Sequence, residues 1–292
     1  MKKSKKFIVR YIEGFLKKYF ATSLYPYFVF LRIGRSFKKR INIKKSFVMF
    51  SKNLPIINKN EYKKTSQNNE DGIIEYIFKI IPNEKYFVEI GFGYYEFNSF
   101  NLIKNNWSGR LIDSNTDEVL ALKSSVGYYF PESEIDIVKA KVTKDNITDL
   151  VFPGKTNRDI DFFSLDIDGN DYWVLKSMNL SKIKVICCEY NHWLGANSSL
   201  TMKYNPNFNF VDNGIFGASL LAFTNILKEK GFSLIAIDSS GTNAFFIDDV
   251  YAKHFEVLCP QKNFVSVGRF YNEDKKREIF KNIKESNLLI EV

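Results

Sequence analysis

The chain has 292 residues, 45% hydrophobic and 26% charged, which sustains a full core in one large or two smaller domains and excludes a mainly disordered chain. The formal net charge of +9 is uneven: residues 1–64 carry 18 Lys and Arg against Glu13 and Glu61, a net of +16, while residues 65–292 carry 24 against 31 acids, a net of −7. This is an acidic domain behind a basic arm rather than a uniformly basic nucleic-acid binder, and its three cysteines (Cys187, Cys188, Cys259) offer neither a disulfide framework nor zinc spacing, as in a reducing compartment.

In the arm, Met1–Lys6 looks like the start of a signal peptide, but Arg10 and Lys17-Lys18 interrupt the apolar residues that follow. The longest apolar stretch, Leu24–Leu31, is too short to span a bilayer, so neither export nor a membrane span is expected. Phe7, Tyr11, Phe15 and Tyr19 recur at helical spacing among lysines and arginines. Such a helix over residues 1–50 suits an anionic membrane surface, and it suits equally a helix packed on the domain or on a second copy of the chain. Nucleic acid is not expected, since no binding motif accompanies the charge. The predicted location is the cytoplasm, with a peripheral position on the inner membrane face if the arm binds lipid.

From residue 65 to 292 short apolar runs alternate with helical segments, the pattern of an α/β, Rossmann-like, doubly wound and mostly parallel sheet. Gly72–Ile81 is predicted helical, Tyr86–Ile90 a strand, and Glu96–Asn105 the next helix. Arg110–Ile112 is a second strand ending on Asp113, with a helix near Asp117–Ser124. Ile135–Ala140 and Asp161–Ile167 are further strands, the latter followed by a helix over Tyr172–Ser177. Val185–Cys188 is a fifth strand ending at Glu189. An insertion over 191–217 follows, then an amphipathic helix, Ala218–Lys230, stopped by Gly231. Phe232–Ile237 and Ala244–Ile247 are separated by so short a turn that they must pair antiparallel and close the sheet as a hairpin.

Ligands of open parallel sheets bind beyond the carboxyl ends of the strands. The first strand ends in Glu89-Ile90-Gly91-Phe92-Gly93, whose glycines permit a close backbone approach. Glu96 stands where a third glycine would complete a dinucleotide fingerprint, so that ligand is not expected. Asp113 follows about 20 residues on, where an acid commonly accepts from ribose hydroxyls.

These blocks resemble class I S-adenosylmethionine-dependent methyltransferases, and among them FkbM-like proteins. The resemblance is carried by Ser66-Gln67 with Glu70-Asp71-Gly72, by Phe87 to Gly93, by Trp107 to Asp113 and by Phe163 to Trp173. Glu189-Tyr190-Asn191, Gly217 to Leu220 and Asn243 to Phe246 complete it, in order, over about residues 65–250. It implies S-adenosylmethionine as cofactor, with Glu89, Gly91 and Gly93 on its methionine and ribose side and Asp113 on the ribose. Val142, in Ala140–Thr143, would lie beside the adenine, and Asp166 would join the cofactor site. Tyr94-Tyr95-Glu96 departs from the small residues usual after the glycine turn. The resemblance also implies a carbohydrate or surface-glycan precursor as acceptor, with Trp193, Tyr204, Asn205, Phe208 and Phe210 of the insertion as its contact surface.

Methyl transfer to a hydroxyl needs positioning and a route for the proton. His192 is a candidate base because its ordinary pKa lies near working pH. Asp166 and Asp168 are candidate catalytic carboxylates. Asp168, Glu189 and Asn191, with Asp166 nearby, are hard oxygen donors suited to magnesium or calcium. Asp166 and Asp168 are expected to leave opposite faces of the strand, so that the two do not both serve as ligands. The alternative to an enzyme is a noncatalytic module that uses its arm for membrane or partner association; a homo-oligomer is compatible with either.

Overall fold

The structure is a computed structural model that describes residues 55–94, 96–155, 158–266 and 271–292. The aromatic helix expected in the arm, and residues 1–54 in general, lie outside the described residues.

The chain runs through α1 (Glu70–Ile80), β1 (Tyr86–Ile90), α2 (Phe100–Lys104), β2 (Ser108–Asp113), α3 (Thr116–Tyr129), β3 (Ile135–Lys139) and α4 (Ile147–Val151). It continues with β4 (Ile160–Leu165), α5 (Asp171–Ser177), β5 (Ile183–Glu189), β6 (Leu200–Met202), α6 (Leu220–Glu229), β7 (Phe232–Ile237) and β8 (Asn243–Asp248). Short helices α7 (Asp249–Ala252) and α8 (Pro260–Asn263) lead to α9 (Glu273–Glu285) and β9 (Leu289–Glu291). The main sheet has the order β3-β2-β1-β4-β5-β8-β7. Its first five strands are mutually parallel, while β8 lies antiparallel to both β5 and β7. The expected doubly wound sheet with its closing hairpin is therefore present. A second, two-stranded sheet pairs β6 of the insertion with β9 near the C-terminus.

Strand periodicity divides the core in two. Phe87, Leu111, Phe162, Val185, Cys187 and Phe245 face α1, α2 and α3, whereas Val88, Ile112, Phe163, Ile186, Cys188 and Phe246 face α4, α5 and α6. Each such fully buried side chain contributes about 1.5–3 kcal/mol. Cys187 and Cys188 consequently lie on opposite faces as free thiols.

Residues 55–64, grouped with the arm on charge, pack on the sheet domain. The Glu61 carboxylate accepts from the Ser239 backbone N–H at 3.0 Å, and Asn58 Nδ2 donates to the Ile237 carbonyl at 2.6 Å. A Cβ on Gly72 would lie 2.0 Å from the Asn60 carbonyl oxygen, so only glycine lets α1 approach this segment. Helix α2 starts at Phe100 rather than Glu96 because Glu89 captures the Asn98 and Ser99 N–H groups at 2.9 and 2.8 Å, fixing the preceding turn.

Candidate functional site

A cavity of about 550 Å³ opens at the carboxyl ends of β1, β2 and β4. Gly91 forms its floor at φ +76°, and a Cβ there would stand 1.5 Å from the Asp166 carbonyl oxygen. The close approach is fixed by hydrogen bonds from Gly91 N–H to Ile112 O (2.9 Å) and from Asp166 N–H to Ile90 O (3.0 Å). Gly93 also lines the cavity. Beyond it, the Tyr94 side chain turns inward, its hydroxyl 2.9 Å from Ser125 Oγ, while its N–H donates to Glu118. Of the residues that depart from the resembling pattern, Tyr94 is thus stored in the core beneath α3, while Glu96 is exposed.

Asp113 ends β2 at the cavity wall. Its carboxylate accepts from Phe92 N–H (3.2 Å) and Asn115 N–H (2.5 Å), which set its orientation. Burial raises its pKa, and the backbone donors oppose that rise. Val142, with Ala140 and Lys141, forms a further wall. Five of the six residues expected around a cofactor (Gly91, Gly93, Asp113, Val142 and Asp166) line this one cavity.

Glu89 does not. It is buried, and its carboxylate is occupied by Asn98 N–H and by the N–H and hydroxyl of Ser99. Burial pushes its pKa up to about 7. Its place in the structure is to hold the turn before α2, not to face a ligand.

The expectation that Asp166 and Asp168 diverge is overturned. Strand β4 stops at Leu165, and Asp168 adopts φ +59° in the following turn. Asp171 holds that turn by accepting from Ile167 N–H (2.8 Å) and Gly169 N–H (2.9 Å). As a result, carboxylate oxygens of Asp166, Asp168 and Glu189 all lie within 4.8 Å of one another. Burial, followed by mutual repulsion, raises Asp166 and Glu189 well above the usual carboxylate range, and Asp168 is raised by burial. Such a trio is neutralised by shared protons or by a hard divalent cation.

Asn191 is not a member of that group. Its Nδ2 donates to the carbonyls of Gly214 and Phe216, both at 2.9 Å, and its Oδ1 accepts from Trp193 N–H at 3.0 Å. With both ends of its amide engaged inside the insertion, Asn191 serves to hold that segment. His192 also lies apart from the cavity lining. Its ring packs on Trp193 with centroids 4.6 Å apart, and burial lowers its pKa to about 4. A carboxylate beside the ring would push the other way. At neutral pH it is an uncharged, buried imidazole outside the cavity lining.

The insertion reaches the cavity by another route. Asn170 clips it, donating from Nδ2 to Asn205 O (2.8 Å) and accepting from Asn205 N–H (3.1 Å). Phe208 then packs on Gly169, where a Cβ would meet the ring at 2.4 Å, and Phe208 and Asn209 join the lining. Trp193 is instead buried against Tyr271 and Phe280, and Phe210 packs on Phe216 away from the lining. Asn115, Glu118, Asn170 and Asn209 were not anticipated in the lining. Asn115 carried a readable signal, since it caps α3 through Asp117 N–H and Glu118 N–H and so fixes the turn after Asp113.

No protein-family model matches the chain, and no curated protein matches it. Among solved structures, the N-terminal domain of EvdMO1 with SAH bound is similar at 8% identity and TM-score 0.42, covering 73% of this chain and 94% of that one. An S-adenosylmethionine-dependent methyltransferase from Clostridium acetobutylicum ATCC 824 is similar at 9% identity and TM-score 0.40, over 61% of this chain and 90% of its own. The CcbJ methyltransferase from Streptomyces caelestis is similar at 10% identity and TM-score 0.39, over 60% and 87%.

Proposed function

We propose that the protein is an S-adenosylmethionine-dependent methyltransferase of class I, FkbM-like in its motifs, that methylates a hydroxyl of a carbohydrate or surface-glycan precursor. The observation that carries the reading is the cavity at the carboxyl ends of β1 and β2, where the Gly91 turn and the Asp113 carboxylate meet. Its volume suits a nucleoside-sized ligand. Asp113, already oriented by two backbone donors, accepts from the ribose hydroxyls, the turn from Gly91 to Gly93 carries the methionine side, and Val142 covers the adenine.

Bound S-adenosylmethionine supplies an electrophilic methyl carbon on a cationic sulfur. The hydroxyl oxygen attacks in line, a C–O bond forms as the C–S bond breaks, and the hydroxyl proton passes to a carboxylate. Asp166 and Asp168 line the cavity and are placed for that transfer. Their raised pKa values make them stronger bases than an exposed carboxylate. A magnesium or calcium ion held by Asp166, Asp168 and Glu189 would act on the same hydroxyl by lowering its pKa. Among the described residues no helix is long and apolar enough to cross a membrane. Attachment of residues 1–50 to an anionic surface belongs to the same proposal, tested by sedimentation with anionic vesicles at low and high salt.

Titration calorimetry with S-adenosylhomocysteine tests the central reading. Binding is expected, and Asp113→Ala is expected to weaken it. A wild-type protein that binds neither S-adenosylhomocysteine nor S-adenosylmethionine refutes the proposal and favours the noncatalytic module.

A further inference from the structure

The cavity is acidic within and basic at one rim. Asp113, Glu118, Asp166 and Asp168 line it. Outside, where the insertion meets α5 and the loop after β3, Lys144 and Lys176 flank an aromatic pair, Tyr204 and Trp173. Lys144 Nζ lies 4.7 Å from the centre of the Tyr204 ring. Tyr204 meets Trp173 edge-on at 6.4 Å, and Lys176 Nζ lies 5.5 Å from the Trp173 ring. Lys203 precedes Tyr204, and Lys141 lines the cavity mouth itself.

Lys141, Lys144, Lys176 and Lys203 are all exposed, and among the described residues none has a carboxylate within ion-pair distance. Asp145 and Asp149, which follow Lys141 and Lys144 in sequence, are exposed and pair with none of the four. The chain elsewhere does pair its surface lysines, as Lys276 with Glu273 and Lys79 with Glu75. The Tyr204 hydroxyl, moreover, has no hydrogen-bond partner. The aromatic pair is held in place rather than draped, since Trp173 Nε1 donates to Met202 O at 2.8 Å and Asn170 clips Asn205.

We infer that the acceptor carries a phosphate or diphosphate, which the rim lysines bind while its sugar stacks on Tyr204 and Trp173 and its reactive hydroxyl points to the acidic interior. The inference rests on the methyltransferase reading and narrows its substrate class from carbohydrate to phosphorylated carbohydrate. The charge arrangement motivates both halves. An acidic interior attracts a cationic methyl donor and repels a phosphate, and a lysine rim does the opposite, so the two ends of one acceptor are sorted by field. Lysine suits this role as a mobile point charge on a flexible stem, able to follow a phosphate at the mouth.

The test titrates three probes, glucose, glucose 1-phosphate and inorganic pyrophosphate, into the full chain saturated with S-adenosylhomocysteine, at low salt and at about 0.3 M salt, where screening shortens the reach of surface charge. The two phosphate probes are expected to bind at least tenfold tighter than glucose, with the advantage shrinking in salt. A preference for pyrophosphate assigns a diphosphate-linked sugar, and parity with glucose 1-phosphate assigns a sugar monophosphate. The double variant Lys144→Ala with Lys203→Ala is expected to cost about tenfold in phosphate-probe affinity, while Lys253→Ala, an exposed lysine beyond α7, changes nothing. Cofactor affinity of the double variant should stay within twofold of wild type, which certifies its fold. Phosphate probes that bind no tighter than glucose, or that bind the double variant as well as wild type, overturn the inference while S-adenosylhomocysteine binding keeps the methyltransferase reading intact. Absence of cofactor binding overturns that reading instead, and is seen before any probe is added.

Discussion

Replacing Gly91 by Ala tests the geometry on which the cavity depends. At φ +76° an alanine pays the left-handed cost of about 1–2 kcal/mol. The new Cβ would stand 1.5 Å from Asp166 O and 2.6 Å from Asp166 C, both main-chain atoms that no rotamer change can move aside. Restoring van der Waals contact requires the ends of β1 and β4 to separate by about 2 Å. That separation lengthens the Asp166 N–H to Ile90 O bond beyond use and strains Gly91 N–H to Ile112 O, each worth about 0.5–1.5 kcal/mol. The total is about 2–5 kcal/mol of stability, together with loss of the floor beneath Asp113 and Asp166. Urea unfolding followed by circular dichroism measures the first effect, and calorimetry with S-adenosylhomocysteine the second. Gly93→Ala is the comparison, because its Cβ meets only Glu96 O at 3.3 Å, and a cost below about 1 kcal/mol is expected. If Gly91→Ala unfolds at the wild-type urea midpoint and binds cofactor normally, the close approach of β1 and β4 is wrong.

Asp113→Ala should weaken S-adenosylhomocysteine binding by about 1–3 kcal/mol with little change in the urea midpoint, as read by calorimetry and unfolding on the same preparation. Asn191→Ala should cost about 3 kcal/mol of stability through three lost buried hydrogen bonds and leave cofactor affinity unchanged; a normal midpoint would return Asn191 to the list of ligands. His192→Ala should leave the pH dependence of methyl transfer unchanged, because a ring with a pKa near 4 stays neutral across the working range, and a lost or shifted limb in the rate profile would restore it as the base. Glu89 has a folded pKa of about 7, above its unfolded value, so its share of stability is complete below about pH 4.5 and is lost as the pH rises through 7. That share is about 3 kcal/mol, and urea midpoints measured from pH 5 to 8 should fall with pH in the wild type and fall less in Glu89→Gln.

The sheet was legible because its strands are buried on both faces and therefore read as compact apolar runs between turn residues. Tyr86–Ile90 and Phe232–Ile237 match residue for residue. What sequence reasoning misjudged lies where a side chain overrides the local pattern. Glu89 sits in the strand-end motif, yet its carboxylate is spent on the Asn98 and Ser99 N–H groups, a use set by a turn nine residues later. Asp166 and Asp168 differ by two positions, a spacing that shares one face along a strand, so the opposite-face expectation misapplied the strand period; the strand ends at Leu165 in any case, and the left-handed Asp168 in the following turn sets their convergence. Helix α9 and strand β9 went unread. Asn272 caps α9 through Lys275 N–H, with Glu273 and Asp274 in the first turn, a start signal that the strongly charged composition disguises. The β6–β9 pairing, by contrast, joins three-residue strands about 90 residues apart, and no local pattern announces it.

The two ends of the same sheet treat acidic residues in opposite ways. At the start of β4, buried Asp161 accepts from Glu84 N–H and Tyr86 N–H and is paired with Lys184 at 2.8 Å, so its charge is compensated. At the other end Glu70, Glu89, Asp166, Asp171, Glu189 and Asp238 are partnered only by neutral donors or by each other, and among the described residues no lysine or arginine lies within ion-pair distance of them. Burial raises the pKa of every one of these six, which means each destabilises the fold when ionised. The chain does not lack cations to relieve this, since Lys141 lines the cavity and, among the described residues, neither it nor Lys144, Lys176 or Lys203 has a carboxylate within ion-pair distance. A fold selected for stability alone would draw such lysines onto the carboxylates, as it does at Asp161. Of the six only Asp166 lines the cavity, where with Asp113, Glu118 and Asp168 it makes the acidic interior on which the proposed reading relies, while Glu70, Glu89, Asp171 and Asp238 spend their carboxylates on nearby N–H donors.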